Sequence, residues 1–303
     1  MKQKRHLLLL ADAALLLVAA VWGLTFVTVK NAINLLPPFT FNFYRFALAA
    51  VVMGAFALPR RRELTKAAVK AGVLLGIFLF LGYSFQTFGL LYTTASNAGF
   101  ITGLSVIFVP LFSTLINKEK PGGGVISGAL CAAAGLALIS GFGVTEFNVG
   151  DLLVLCCAFS FALHIIYVGK FTALYSTVWL VALQIGVVAV CSGFFSLFLE
   201  SDSNTFQPAV WPALIITALF ATSFAFFVQN YMQRFTSPSH TAIILTSEPV
   251  FSAVFSVFLL QESLTPYAYW GGALIVLGML LSEVKTLPWT KTGREELPLP
   301  GQE

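Results

Sequence analysis

Apolar residues arrive along this chain in blocks of about twenty, separated by charged residues or by Pro, Gly and Asn. A helix rises about 1.5 Å per residue and a hydrocarbon core is about 30 Å thick, so each block is long enough to cross it. The breaks predict ten spans: 7–29, 39–58, 68–88, 95–116, 123–142, 151–168, 177–199, 210–232, 239–260 and 267–283. The longest stretches between spans are about ten residues, too short for a soluble domain. The tail 286–303 is polar and Pro-rich and reads as disordered.

The N-terminus begins with basic residues followed by an apolar run, as a signal peptide does, but the run continues to Val29. That length predicts an uncleaved first span. Composition points the same way: 58% of residues are hydrophobic and 10% charged, with a mean hydropathy of +0.88. A soluble domain carries about a quarter charged residues, so this is a polytopic membrane protein. Cys131, Cys156, Cys157 and Cys191 all fall inside spans, without the spacing of a disulfide framework or a metal site.

Basic residues mark cytoplasmic loops. With the N-terminus inside, 15 of the 17 Lys and Arg fall in inside segments, which predicts a multi-pass cell-membrane protein with both termini cytoplasmic. Lys30 then lies at an outer edge and Arg45 within a span. The net charge of +4 is accounted for at the inner membrane face and calls for no nucleic-acid partner.

An internal repeat runs through the chain. An offset of 139 residues places Trp22 on Phe161, Arg45 on Gln184, Tyr92 on Tyr231 and Pro110 on Pro249. Farther on, an offset of 143 places Glu119 on Glu262, Gly128 on Gly271 and Gly135 on Gly278. Each copy holds five spans, an odd number, so the copies insert with opposite orientation. The expected fold is therefore an all-α polytopic membrane protein, with ten transmembrane helices as two inverted five-helix repeats, 7–142 and 149–285. Inverted repeats of this kind belong to secondary transporters, which bind cargo near the midplane and alternate access by rocking.

The stretch "LLLVAAVWGLTFVTVKNAINLLPPFTFNFYRFALAAVV" carries Trp22-Gly23, Pro37-Pro38 and Arg45. It resembles the opening of the EamA-type permeases of the drug/metabolite transporter superfamily. The stretches "GLLYTTASNAGFITGLSVIFVPLFSTLINKEKP" and "SEPVFSAVFSVFLLQESLTPYAYWGGALIVLGMLL" are similar to that family's fourth-to-fifth and ninth-to-tenth spans. The resemblance covers residues 10–285 and implies ten helices in two inverted halves, commonly exporting amino acids or other metabolites. One departure stands out: Pro110 precedes Glu119 by nine residues, whereas Pro249 precedes Glu262 by thirteen.

A charge near the bilayer centre costs about 2.5–3.5 kcal/mol on insertion scales, so ionisable residues at depth are candidates for function. Asp12, Arg45, Glu248 and His164 meet that condition. Asp12 lies five residues into the first span, within reach of the headgroups at its basic end. Arg45 and Glu248 are close enough in depth to form a structural pair, which competes with contact to substrate; Glu248 is also the candidate for proton coupling. Ser160, His164 and Tyr167 form a polar stripe on span six, and Thr241, Glu248, Ser252 and Ser256 another on span nine. Trp22, Tyr83, Gln86, Asn97 and Gln184 complete the candidate substrate-binding set. Pro110 and Pro249 each remove a backbone hydrogen bond and predict helix kinks, static or moving. Ala68, Gly72 and Gly76 give span three a small-residue face for close packing.

The chain holds none of the hydrolase, metalloprotease, redox or phosphate-loop motifs, so an enzyme is not expected and neither cofactor nor metal is called for. The expected function is secondary transport, with export of a small metabolite such as an amino acid. An intramembrane enzyme or lipid-handling protein is the alternative, and it needs convergent acid, base or metal groups. A phosphate-ester cargo needs several Lys or Arg in the cavity. Only Arg45 is available, which favours a zwitterionic, neutral or apolar small molecule. The expected partners are that substrate and membrane lipid, with the protein acting as a monomer or homodimer.

Overall fold

The computed structural model describes residues 2–93, 95–118, 121–139, 148–200, 208–251, 254–255 and 266–283, and at residues 2–5, 26–27, 95–97, 117, 139 and 283 the backbone alone. Glu119, Ser252, Ser256, Glu262 and the tail 286–303 lie outside the described residues. All regular structure among the described residues is helical.

The first half contains α1 (Lys2–Ala32), α2 (Pro38–Ala57), α3 (Lys66–Tyr92), α4 (Ala95–Gly103), α5 (Ser105–Asn117) and α6 (Gly123–Ile139). The second half contains α7 (Val149–Phe171), α8 (Thr177–Leu199), α9 (Trp211–Ala218), α10 (Ala225–Met232), α11 (Pro238–Leu245) and α12 (Pro266–Glu283). A 3₁₀ turn, Leu58–Glu63, extends α2, and a π-helical turn, Leu219–Phe224, joins α9 to α10.

Local chemistry sets the starts of these helices. Pro38 opens α2 with its φ already helical, but Pro37 before it has no side-chain cap. Glu200, at the end of α8, supplies the missing acceptors: its carboxylate receives the Phe39 and Thr40 N–H groups at 3.0 and 2.8 Å. Thr65 caps α3, and Asn148 with Asp151 forms a reciprocal capping box on α7.

Seven helical stretches among the described residues are long and apolar enough to cross a membrane. They correspond to expected spans one to four and six to eight. Spans five and ten are the shorter apolar helices α6 and α12, with 17 and 18 residues, at the lower limit for crossing. Span nine is described only in part, since 256–265 lie outside the described residues.

α6 and α12 lie side by side at backbone contact. A Cβ on Gly128 would stand 2.6 Å from the Gly278 carbonyl oxygen, and one on Gly135 would stand 2.5 Å from that of Gly271. The register is antiparallel, and glycine at all four positions is what lets the backbones meet. The small-residue face of span three works in the same way, with Gly72 against Leu183 and Gly76 against Val187 of α8.

The central core joins α2, α3, α8 and the span-eight helix through buried Phe46, Leu79, Ile185, Val188, Ala218 and Phe226. Around it α2 packs on α8, α3 on α7 and α8, and α1 on α9 and α10. The helices left to line the centre are α1, α3, α4, α7, α10 and α11.

Candidate functional site

The π turn organises one wall. Thr222 and Ser223 hydroxyls bond carbonyls five residues back, Thr217 at 2.8 Å and Ala218 at 2.9 Å, which holds the widened turn open. Two side chains from the other half dock there. Trp22 donates its indole N–H to the Ala221 carbonyl at 2.8 Å, and Arg45 donates Nε–H to Thr222 Oγ1 at 2.8 Å. Arg45 also donates from Nη2 to the Tyr83 hydroxyl at 3.3 Å, with its guanidinium carbon 4.8 Å from that ring's centroid. Arg45 is 4% exposed, so its charge is held by hydroxyls and aromatic faces instead of a carboxylate.

Behind this wall is a central cavity of about 90 Å³. Trp22 of α1, Tyr83 and Gln86 of α3, Thr102 of α4, Phe161 and His164 of α7, Phe226 and Gln229 of α10, and Glu248 beyond α11 line it. The aromatic rings form a contiguous set: Phe226 lies 5.5 Å from Trp22, 6.1 Å from Tyr83 and 5.9 Å from His164, centroid to centroid. A second chamber of about 40 Å³, lined by Arg45, Thr25 and Leu90, shares Trp22, Tyr83 and Gln86 with the first. The two chambers are therefore neighbours across three side chains, with Glu248 on one and Arg45 on the other.

Glu248 makes neither a hydrogen bond nor an ion pair among the described residues, and the Arg45–Glu248 pair considered from sequence does not form. The reason is geometric: Arg45 turns to the π turn, while Glu248 follows the break in span nine. α11 ends at Leu245, four residues before Pro249, where the proline ring would collide with the helical carbonyl. Thr246 and Ser247 hydroxyls take up the Ile243 and Ile244 carbonyls at 2.5 and 2.7 Å. Helix α11 thus breaks at Thr246–Ser247, ahead of Pro249, and Glu248 just past the break lines the cavity. Pro110 lies inside the continuous helix α5, and the corresponding break in span four comes at Leu104.

The other sequence candidates separate. His164 lines the cavity and places Nε2 at 2.5 Å from Gln184 Oε1; a carbonyl oxygen only accepts, so Nε2 carries the proton. Gln184 in turn donates to Asn230 Oδ1 at 3.0 Å, which makes it a support for His164 from outside the cavity. Gln86 donates to Thr102 Oγ1 at 3.2 Å. Tyr167 lies outside the lining and stacks on Phe78 with centroids 5.5 Å apart, while Ser160 bonds back to Cys156 of its own helix. The span-six stripe therefore contributes only His164. The Asn97 side chain lies outside the described residues.

Phe161, Phe226 and Thr246 were not singled out from sequence. The 139-residue offset placed Phe161 on Trp22 and so carried the signal; single aromatics in an apolar span otherwise look like lipid-facing residues. Gln229 Oε1 is buried without a hydrogen-bond partner among the described residues, which adds an acceptor at the cavity wall.

Asp12 differs from expectation. Instead of reaching for headgroups, its Oδ1 lies 3.0 Å from His240 Nε2, and His240 Nδ1 lies 3.0 Å from Ser282 Oγ. Ser282 gives its own proton to the Met279 carbonyl at 2.7 Å, so its oxygen accepts from Nδ1–H. Both ring nitrogens of His240 thus have a partner on another helix. α1, α11 and α12 are tied together at this point.

Comparison with known proteins agrees with this architecture. The chain is 40% identical over 279 residues to a protein of Archaeoglobus fulgidus named as an uncharacterized transporter, covering 91% of this chain and 87% of that one. It is 31% identical to the uncharacterized transporter YvbV of Bacillus subtilis, covering 88% of each. A crystal structure 19% identical in sequence superposes with a TM-score of 0.76 over 90% of this chain and 96% of the other, a likeness of fold. Residues 9–141 and 148–283 each match the model of one family. The chain belongs to the EamA-like transporter family and is a multi-pass membrane transporter of the drug/metabolite superfamily.

Proposed function

We propose that the protein is a secondary transporter that exports a small metabolite such as an amino acid across the plasma membrane, with both termini cytoplasmic, by alternating access. The cargo site is the central cavity, and the two moving bodies are inverted five-helix halves, 7–142 and 149–285. The observation that carries this reading is the unpaired Glu248 carboxylate facing an aromatic cavity beside the separately held Arg45. A zwitterion complements that layout, with its ammonium toward Glu248 and its carboxylate toward Arg45 across Tyr83.

Contacts between the halves support the inverted arrangement. The offset of 139 carries Trp22 onto Phe161 and Gly82 onto Ala221. Trp22 bonds Ala221, and a Cβ on Gly82 would stand 2.3 Å from the Phe161 ring. The offset of 143 carries Gly128 onto Gly271 and Gly135 onto Gly278, yet Gly128 meets Gly278 and Gly135 meets Gly271. Contacts that exchange partners in this way are what a two-fold axis between halves produces.

The cavity is about 90 Å³, well below the roughly 300–1,000 Å³ of a ligand pocket that encloses a drug-sized molecule. Cargo therefore requires the halves to separate, and the breaks at Leu104 and Thr246 are the places where spans four and nine can bend. Counterflow of labelled amino acids in vesicles reconstituted with the purified protein tests the reading. Accumulation above protein-free vesicles is expected for at least one; folded protein that moves none of a broad metabolite panel would contradict it.

A further inference from the structure

At the end of the molecule carrying the Leu58–Glu63 turn, two cavities away from the central site run into one another. One, about 470 Å³, is lined by Arg60, Glu63, Tyr175, Ser176, Tyr231 and Arg234. The other, about 410 Å³, follows α2 and the π turn and is lined by Val52, Met53, Phe56, Leu219 and Phe224. Arg60, Val178 and Phe227 belong to both linings, so the pair is one continuous feature, polar at one end and apolar at the other. Phe56 is 62% exposed, which puts the apolar end on the flank turned to lipid.

The polar end is built around two arginines. Trp179 donates its indole N–H to the Arg60 carbonyl at 2.8 Å, and Arg60 Nη1 donates to the Phe56 carbonyl at 3.2 Å; both bonds fix Arg60 in place. A guanidinium has five N–H donors, so most of those on Arg60 remain for the cavity. The Arg234 guanidinium lies 5.7 Å over the Tyr231 ring and makes no hydrogen bond among the described residues. Glu63 is the opposing charge; its Oε2 accepts from Ser176 Oγ at 2.5 Å. Two arginines against one glutamate leave net positive charge, with a carboxylate and hydroxyls at hand for a hydroxyl-bearing headgroup.

We propose that this feature binds one acidic glycerophospholipid, its phosphate between Arg60 and Arg234 and an acyl chain along Val52, Phe56, Leu219 and Phe224. Planar guanidinium groups suit phosphate oxygens, and basic pockets between transmembrane helices recognise anionic headgroups. A free phosphate would leave the apolar half unfilled, and a neutral lipid would leave the excess positive charge unmatched. The groove also contains Ser223, whose neighbour Thr222 holds Arg45, so bound lipid touches the turn that builds the cargo site.

The test uses the full chain in detergent, with native mass spectrometry and thermal unfolding on titration with dioleoyl phosphatidylglycerol. Dioleoyl phosphatidylcholine, dioleoyl phosphatidylethanolamine and inorganic phosphate serve as separate arms. Phosphatidylglycerol is expected to be retained and to raise Tm, while the other three do neither to the same degree. Arg60→Gln/Arg234→Gln should weaken its binding by about 30-fold, two arginines at about 1 kcal/mol each converted at about 1.4 kcal/mol per decade. Arg61→Gln/Arg62→Gln removes equal charge outside the pocket and should leave binding unchanged. Val52→Phe fills the groove with both arginines intact and should also weaken binding; it decides the matter if the double variant does not fold. Equal retention of phosphatidylcholine or phosphatidylethanolamine, equal loss in Arg61→Gln/Arg62→Gln, undiminished binding by Val52→Phe, or stabilisation by phosphate alone would each overturn the proposal.

Discussion

Trp22 of α1 donates its indole N–H to the Ala221 carbonyl across 2.8 Å, and this bond fastens the first span to the π turn of span eight. Trp22→Phe keeps a ring in the cavity wall and removes the donor. Leaving a part-buried carbonyl unmatched costs about 1–3 kcal/mol. Thermal unfolding in detergent should register a lower Tm for Trp22→Phe than for wild type; an unchanged Tm would mean that the bond contributes nothing to holding the turn.

Arg45 is held by directional bonds to Thr222 and Tyr83 with its face against an aromatic ring, a geometry that an ammonium does not reproduce. Arg45→Lys should therefore be destabilising by about 1.5–3 kcal/mol, in the range of hydrogen bonds to charged groups. Equal stability of Arg45→Lys and wild type in chemical or thermal unfolding would contradict this description.

The α6–α12 contact yields a contrast between glycines. Gly135→Ala places a methyl 2.5 Å from the Gly271 carbonyl oxygen, whereas a Cβ at Gly186 in α8 meets nothing within 4 Å. Overpacking of this kind costs about 1–3 kcal/mol, while Gly→Ala in an open helix interior stabilises by about 0.5–1 kcal/mol. Opposite shifts in Tm are expected for Gly135→Ala and Gly186→Ala. The same sign for both would show that α6 and α12 do not pack as described.

Asp12, His240 and Ser282 join three helices through 3.0 Å contacts. Asp12→Asn keeps the shape and removes the charge, while His240→Ala removes both bonds. His240→Ala should lower Tm further than Asp12→Asn, and the double variant should cost less than the sum of the two, as contacting residues do. Strict additivity in that cycle would argue against direct contact.

Much of this was legible because a bilayer imposes strong rules on sequence. Block length placed the seven spans that long apolar helices match, and ordered weak matches at one offset set Trp22 on Phe161 and Arg45 on Gln184, residues that the structure brings to or beside the central cavity. Glu248 and Pro249 stood out because a carboxylate and a helix breaker are costly in an apolar run. Three features were hidden. The π turn at Leu219–Phe224 carries neither Pro nor Gly, and its cause, the reach of Thr222 and Ser223 to carbonyls five residues back, has no sequence signature. The Asp12–His240 tie joins residues 228 apart, where no local pattern operates. Tyr167 shared a face with His164 by periodicity, but stacking on Phe78 drew its ring from the cavity.

The central claim is that the Glu248 carboxylate, unpaired at the cavity wall, engages the cargo. Glu248→Gln is nearly isosteric and removes only the charge. Counterflow in reconstituted vesicles, using whichever cargo wild type accumulates and measured across a pH gradient, tests the claim most directly. With unfolding unchanged, Glu248→Gln should slow transport by about tenfold or more, one decade for each 1.4 kcal/mol or so of lost interaction. Transport by Glu248→Gln at the wild-type rate, with the same response to pH, would contradict the claim and leave Glu248 a residue of the fold alone.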